Sequence, residues 1–298
     1  MGEAGKAKVL IADDQDALRS MLSKQLSKEG FEPIEAKDGE EAIELYKVLK
    51  PPVVISDVIM PKMDGLTLLK EIKKIDSQAA VILMTGHGNE EVVLKALQGG
   101  ATNFFKKPFN VKELIREINK VSRYRVEALT SSLFSPYLVE ETKSFSLATG
   151  NPLYYPIINQ ITLQLPCLLE ESEILNLKIG IEEMITNAIE HGNLGISFSE
   201  KDAAIARGRW GDLLAERLKE DDNAVKAVHI RSSIDSKAFR ISVRDEGKGF
   251  DWRNLPEVLP ENLFTFNGRG ILLAKIYYDE VSYNDAGNEV TLIKRKKR

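Results

Sequence analysis

Ser56-Asp57-Val58-Ile59-Met60-Pro61-Lys62-Met63-Asp64-Gly65 follows directly on the apolar run Val53-Val54-Ile55. That run reads as a short buried strand ending on the carboxylate of Asp57. Four further apolar runs of similar length lie around it, at residues 9–12, 32–36, 80–85 and 102–106. Each is followed by an amphipathic stretch. In the first of these stretches Leu18, Met21, Leu22 and Leu26 keep helical spacing, and in the last Val111, Leu114, Ile115, Ile118 and Val121 form one stripe. Strand and helix in alternation imply right-handed crossovers, hence a five-stranded parallel, doubly wound sheet with helices on both faces. In such sheets the chemistry collects at the carboxyl ends of the strands.

Four of these ends carry reactive polar residues: Asp13-Asp14, Asp57, Thr85, and Lys106-Lys107-Pro108. Three carboxylates meeting in one crevice repel one another unless a cation joins them. Oxygen-only ligands favour a hard ion, and Mg²⁺ fits when a phosphate oxygen and waters complete its shell. An ionised carboxylate at position 57 needs no base to attack a phosphoryl donor. Lys107 and the metal would neutralise the transferred group, and the Thr85 hydroxyl would donate to one of its oxygens.

With Ile11-Ala12-Asp13-Asp14, the stretch 56–65, Met84-Thr85-Gly86 and Phe105-Lys106-Lys107-Pro108-Phe109 in this order, the first 125 residues resemble the response-regulator receiver family. The resemblance implies a flavodoxin-like fold with Asp57 as phospho-acceptor. It implies Mg²⁺ held by Asp13, Asp14, Asp57 and the backbone carbonyl of Ile59, with Thr85 as switch hydroxyl and Lys107 as phosphate-binding lysine. An upstream sensor histidine kinase is the implied phosphoryl donor. The family's switch aromatic falls on Phe104, which has no hydroxyl, so any rotamer readout there rests on burial alone.

Helical spacing runs past Arg123 until Ser131, Ser132, Ser135 and Pro136 interrupt it. Residues 126–155 show no clear period and read as a linker. A helix leaving the first domain suits a signal carrier and a plain tether equally well. In the second half, residues 161–165 read as a strand closed by Pro166, followed by a helix with acids in its first turns. A second helix spans about 175–191. On it Ile181, Met184, Ile185 and Ala188 share an apolar face, with Glu183, Asn187 and Glu190 opposite. Asparagine is a poor mid-helix residue, whereas a neutral oxygen one turn from Glu183 suits a hydrated Mg²⁺ near phosphates. Residues 239–244 alternate as a half-buried strand and end in Asp245-Glu246-Gly247-Lys248-Gly249-Phe250. A buried acid there accepts from the exocyclic amine of adenine and repels the carbonyl of guanine. The glycines let backbone approach the base. Asn267-Gly268-Arg269-Gly270 opens a helix at 271–278, a ready anion site. Two final strands, near 281–283 and 289–294, complete the pattern.

Glu183 to Asn193, Asp245 to Phe250 and Gly268-Arg269-Gly270-Ile271 together resemble the GHKL nucleotide-binding fold, in its anti-sigma-factor serine kinase branch. An α+β sandwich over residues 156–298 that binds Mg-ATP is implied. So are Mg²⁺ binding by Asn187, general-base or water-orienting work by Glu183, and adenine recognition by Asp245. Backbone phosphate contacts through Gly247, Gly249, Gly268 and Gly270 and a γ-phosphate contact by Arg269 complete the implied set. A charged insertion at 194–224 departs from the pattern. Trp210, Leu213, Leu214 and Leu218 share one face there, suited to packing on its own domain or to binding a partner.

The 298 residues accommodate two domains. A net charge of -4 with no broad basic stripe argues against DNA reading, and the basic tail from Lys294 reads first as a solvated end rather than a nucleic-acid patch. The single Cys167, no apolar leader and no spanning run point to the cytoplasm and away from membranes. None of His87, His191 and His229 lies in a paired-helix dimerisation segment, which argues against a hybrid sensor kinase. The combined expectation is a phosphorelay response regulator whose receiver controls an ATP-dependent serine/threonine kinase. Its partner would be an anti-anti-sigma (STAS-type) protein or a sigma factor. The alternative is an ATP-dependent binding module without transfer. Both kinds of domain are compatible with a homodimer.

Overall fold

The computed structural model describes residues 7–86, 90–128, 138–150, 153–220, 223–254 and 269–296. The chain divides into two compact units, Met1–Ser132 and Leu133–Arg298. The first contains β1 (Lys8–Ala12), α1 (Asp16–Lys28), β2 (Glu32–Ala36), α2 (Gly39–Leu49) and β3 (Val53–Asp57). It continues with α3 (Gly65–Ile75), β4 (Ala80–Thr85), α4 (Glu90–Gln98), β5 (Asn103–Lys106) and α5 (Val111–Ala128). All pairings are parallel, in the order β2-β1-β3-β4-β5. Every residue of β3 and β4 is buried, because helices cover both faces of the sheet. The edge strand β2 exposes Glu32 and Glu35. Three strands coincide with the runs expected at 32–36, 53–57 and 80–85. The first begins one residue early and the last one residue late.

The loop between β3 and α3 is held at both ends. Gly65 donates its N–H to the Val58 carbonyl at 2.9 Å, and a Cβ at 65 would fall 2.1 Å from the carbonyl oxygen of Asp57. Only glycine admits that approach. Asp64 caps α3 by accepting from the Thr67 N–H at 2.7 Å. Lys62, in a left-handed conformation at φ 64°, reaches Asp38 Oδ2 at 2.6 Å, while Asp38 caps α2 through the Glu41 N–H. The motif at 56–65 is therefore pinned to the β2–α2 corner as well as to its own helix.

The second unit holds β6 (Glu140–Ala148), α6 (Tyr154–Thr162), α7 (Glu171–Asn187), α8 (Phe198–Ala206) and α9 (Trp210–Arg217). Then come β7 (Ala227–Asp235), β8 (Ala238–Arg244), α10 (Arg269–Tyr277), β9 (Glu280–Tyr283) and β10 (Glu289–Arg295). Its sheet is antiparallel throughout, ordered β6-β7-β8-β10-β9. Val228, Ile230 and Ile234 of β7 and Phe239, Ile241 and Val243 of β8 are buried on one face, alternating with more exposed neighbours. α7 carries α10 against it. At Gly180 a Cβ would fall 2.9 Å from the Tyr278 ring, whose hydroxyl donates to the Leu177 carbonyl at 3.0 Å. No described helix is long and apolar enough to cross a membrane.

Four expectations are corrected. Residues 161–165 are not a strand. Ile161 and Thr162 close α6, whose first turn tolerates Pro156, and Leu165–Cys167 forms a 3₁₀ turn. Residues 140–148, assigned to the linker, are the edge strand β6. The two helices expected before residue 191 are one, α7, followed by a π-helical turn over Ala188–Asn193. Lys294 belongs to neither a solvated tail nor a nucleic-acid patch, since it is buried on β10 with Nζ 3.3 Å from Glu173 and 3.7 Å from Asp279.

Candidate functional site

β1 and β3 lie side by side at the centre of the first sheet, so the residues at their carboxyl ends meet. Asp13 is fully buried, Asp57 nearly so, and Asp14 is exposed. One oxygen from each lies within 4.8 Å of the others, the single such acidic cluster among the described residues. Lys107, brought in after β5, places Nζ 2.6 Å from Asp13 Oδ2 and 2.7 Å from Asp57 Oδ2. Asp13 Oδ1 accepts the Gln15 N–H at 2.9 Å, so both of its oxygens are oriented. Thr85, at the end of β4, is buried, and its carbonyl accepts the Lys107 N–H at 2.7 Å. Ile59 stands two residues beyond Asp57 with its side chain exposed. Phe104 is buried.

The electrostatics follow from counting charges. Burial raises the Asp57 carboxyl above its ordinary value, and the hydrogen bond from Lys107 only partly offsets this. On Lys107 burial acts downward, but the hydrogen bonds it donates to both Asp13 and Asp57 outweigh it and raise the ammonium. The lysine has two carboxylates, whereas each carboxylate has a share in one lysine. Three acids against one base leave negative charge in the crevice. An all-oxygen donor set of this kind fits Mg²⁺.

The second unit holds a cavity of about 330 Å³, within the range of small-molecule sites. Asn187 and Met184 of α7, His191 and Gly192 of the π turn, Asp245 at the end of β8 and Gly249 all line it. Asp245 is buried, which raises its carboxyl above the usual range, and its Oδ1 accepts the Gly247 N–H at 2.8 Å. The carboxyl packs directly on Gly192, where a Cβ would fall 2.3 Å from Asp245 Cγ. Here the π turn matters. Its wider ring, closed by Leu194 N–H to the Ile189 carbonyl, carries Gly192 to the floor of the cavity. The same turn points Asn193 at two partners. Its Nδ2 donates to Thr149 Oγ1 at 2.7 Å and its Oδ1 accepts the Glu246 N–H at 2.7 Å.

The structure thus gathers Asn187, Asp245 and Gly249 in one cavity. Glu183 is one turn from Asn187 but outside the lining. It abuts the start of α10, where a Cβ on Gly270 would fall 2.7 Å from Glu183 Oε2. Gly247 touches Asp245 without lining the cavity. Gly268 and the Arg269 side chain lie outside the described residues. Glu190 is not on the open face with Glu183: it is buried and paired with Lys201 of α8 at 2.6 Å. His191 is held structurally, its Nδ1–H donating to the Ile196 carbonyl at 2.5 Å, and burial lowers its pKa. Tyr283 and Phe198 also line the cavity and carried no motif that could have flagged them, whereas Asn288, which lines it too, lies in the Gly287–Thr291 stretch that resembles the anti-sigma-factor kinase branch.

Comparison with known proteins agrees with both halves. The response regulator receiver domain family matches residues 9–119, and the histidine kinase-like ATPase domain family matches residues 215–294. The helix bearing Glu183 and Asn187 precedes that second match. The chain is 44% identical over 114 residues to the chemotaxis protein CheY of Bacillus subtilis, spanning 38% of this chain and 95% of that protein. It is 42% identical over 117 residues to CheY of Thermotoga maritima, spanning 39% of this chain and 98% of that one. Among solved structures, a response regulator receiver domain protein from Clostridium thermocellum is 32% identical over 41% of this chain and 98% of its own, with a TM-score of 0.39. A receiver domain followed by a histidine kinase-like ATPase domain, the chain belongs to the response regulators of two-component systems.

Proposed function

We propose that Asp57 accepts a phosphoryl group from an upstream sensor histidine kinase and that this controls an ATP-dependent output in the second unit. The observation that carries the reading is Lys107 Nζ set between Asp13 and Asp57, with Asp14 beside them. A carboxylate oxygen of Asp57 forms the new P–O bond while the donor's P–N bond breaks, and no proton need leave the nucleophile. Lys107 meets an oxygen of the incoming group by exchanging part of its contact with Asp57. The Thr85 hydroxyl donates to another. Asp13, Asp14, Asp57 and the Ile59 carbonyl would hold Mg²⁺, which supplies charge neutralisation when bound. Acetyl phosphate with Mg²⁺ is expected to add one phosphoryl mass to the protein and none to Asp57→Asn. Equal labelling of the variant would refute the assignment.

For the output we infer ATP binding, with the Asp245 carboxyl accepting from the adenine amine and Gly247, Gly249, Gly268 and Gly270 contributing backbone to the phosphates. Asn187 would hold the Mg²⁺ of Mg-ATP, and Arg269 would contact the γ-phosphate. In the kinase form of the reading, Glu183 takes the proton of a serine or threonine hydroxyl on an anti-anti-sigma (STAS-type) protein as the γ-phosphoryl group transfers. In a second form of the reading, ATP shapes a surface for a sigma factor or similar partner without transfer, and the contact of Glu183 with Gly270 serves packing alone. Incubation with γ-labelled ATP and candidate partners separates them: label on a partner selects the kinase, and tight ATP binding with no label selects the binding module.

A further inference from the structure

By its sequence the insertion at 194–224 suits packing on its own domain or binding a partner, and in the structure its Phe198 also lines the cavity of the second unit. Its path begins at the π turn and is fastened there. Leu194 and Ile196 are buried, the Ile196 N–H donates to the Glu190 carbonyl at 2.9 Å, and Lys201 pairs with Glu190. Ser197 and Glu200 close a capping box at the start of α8, and Arg217 of α9 pairs with Glu200, so the two helices are tied to each other. Trp210, Leu213, Leu214 and Leu218 are each half-buried, as suits a face packed within this helical pair. Phe198, the first residue of α8, is different. It is 42% exposed, lines the cavity that contains Asp245, and rests on the His191 ring at a centroid distance of 4.1 Å.

A second aromatic of equal exposure, Phe250, lines the same cavity from the loop after β8 and is steadied by Tyr283 at 5.4 Å. Two large apolar rings left partly in water around a buried hydrogen-bond acceptor call for a flat apolar ligand with a donor on its rim. A purine with an exocyclic amine has that form. We propose that Phe198 is a purine-contacting residue contributed by the insertion, which thereby forms one wall of the nucleotide site and not an appendage to it. This rests on the reading of the cavity as an ATP site. Phe198 covers a face of the base while Asp245 reads its edge. The Glu190–Lys201 pair sets how far that wall stands from the floor.

The test is calorimetric titration of Mg-ATP into the full chain and into Phe198→Ala, Phe198→Trp and Asp245→Asn. Phe198→Ala is expected to raise the Kd about tenfold, the 1.4 kcal/mol equivalent that lies within the range of one base–aromatic stack. Phe198→Trp is expected to restore binding and to show fluorescence quenching on ATP addition. Melting of the unliganded variants checks that each is folded. Wild-type affinity in Phe198→Ala, with Asp245→Asn impaired, overturns the role of the insertion and leaves the ATP reading standing. No binding of Mg-ATP by the wild type overturns both.

Discussion

Replacing Lys107 by methionine keeps its apolar stem and removes the cation that touches both Asp13 and Asp57. In the wild type the Lys107 side chain is 14% exposed, that of Asp57 8% and that of Asp13 0%, so water can replace little of what is lost. Removing one partner from such a buried pair costs roughly 3–5 kcal/mol. The exposure of Asp14 and the residual access to Lys107 place the expected loss at the lower end, about 3 kcal/mol. For a unit of this length each 1 kcal/mol shifts the melting temperature by about 4 °C, giving a fall of about 12 °C for the receiver transition. Scanning calorimetry of the full chain in a chelator measures this directly. Adding excess Mg²⁺ should then recover much of the loss, because a divalent ion entering three carboxylates replaces the missing charge. The same addition should stabilise the wild type less, since Lys107 already competes for those oxygens. Lys107→Met melting with the wild type in chelator would refute the charge accounting. Equal stabilisation of both proteins by Mg²⁺ would show that the ion does not enter the cluster.

Three other outcomes are expected. Gly192→Ala puts a methyl group where the Asp245 carboxyl sits, so calorimetric titration should show Mg-ATP affinity reduced about tenfold or more, with roughly 1–3 kcal/mol of destabilisation from overpacking. Asn193→Ala removes a buried partner of Thr149 and the part-buried acceptor of the Glu246 N–H, and should cost about 1–3 kcal/mol in urea unfolding. Unchanged stability would mean that water replaces the amide fully. Desolvation pushes the Tyr283 phenol up to about 12. Because the folded value lies above the unfolded one near 10, this group's contribution is complete below pH 10 and is lost as pH rises through about 12. Ultraviolet titration should therefore show a late phenolate step that Tyr283→Phe removes.

How legible these features are depends on what shapes each one. β3 and β4 are buried along their whole length, so an apolar run bounded by polar residues marks them almost to the residue. β6 lies at a sheet edge and exposes Glu140, Thr142 and Lys143 to differing degrees, so little hydrophobic contrast records it. Ile161-Thr162-Leu163-Gln164-Leu165 alternates like a strand, yet packing of Ile158 and Ile161 keeps its start within α6. The receiver acids are readable because parallel strands deliver their ends to one crevice. The left-handed Lys62, the π turn and the aromatic pair of the cavity depend on contacts between segments distant in sequence, and no local pattern announces them.

The π turn also makes one stretch of this chain sensitive to length more than to composition. A residue in an α-helix advances about 100° around the axis, and the turn at Ala188–Asn193 absorbs one residue beyond the α-helical count. Removing any single residue there lets the helix revert to its ordinary winding and swings whatever follows by about that angle. Gly192 would leave the Asp245 carboxyl and Asn193 would lose both partners together. A substitution at most of these positions disturbs one contact, whereas a one-residue deletion dismantles the floor of the cavity at a stroke. Length variants in this segment should therefore be far less tolerated than side-chain variants, even where the deleted residue touches nothing.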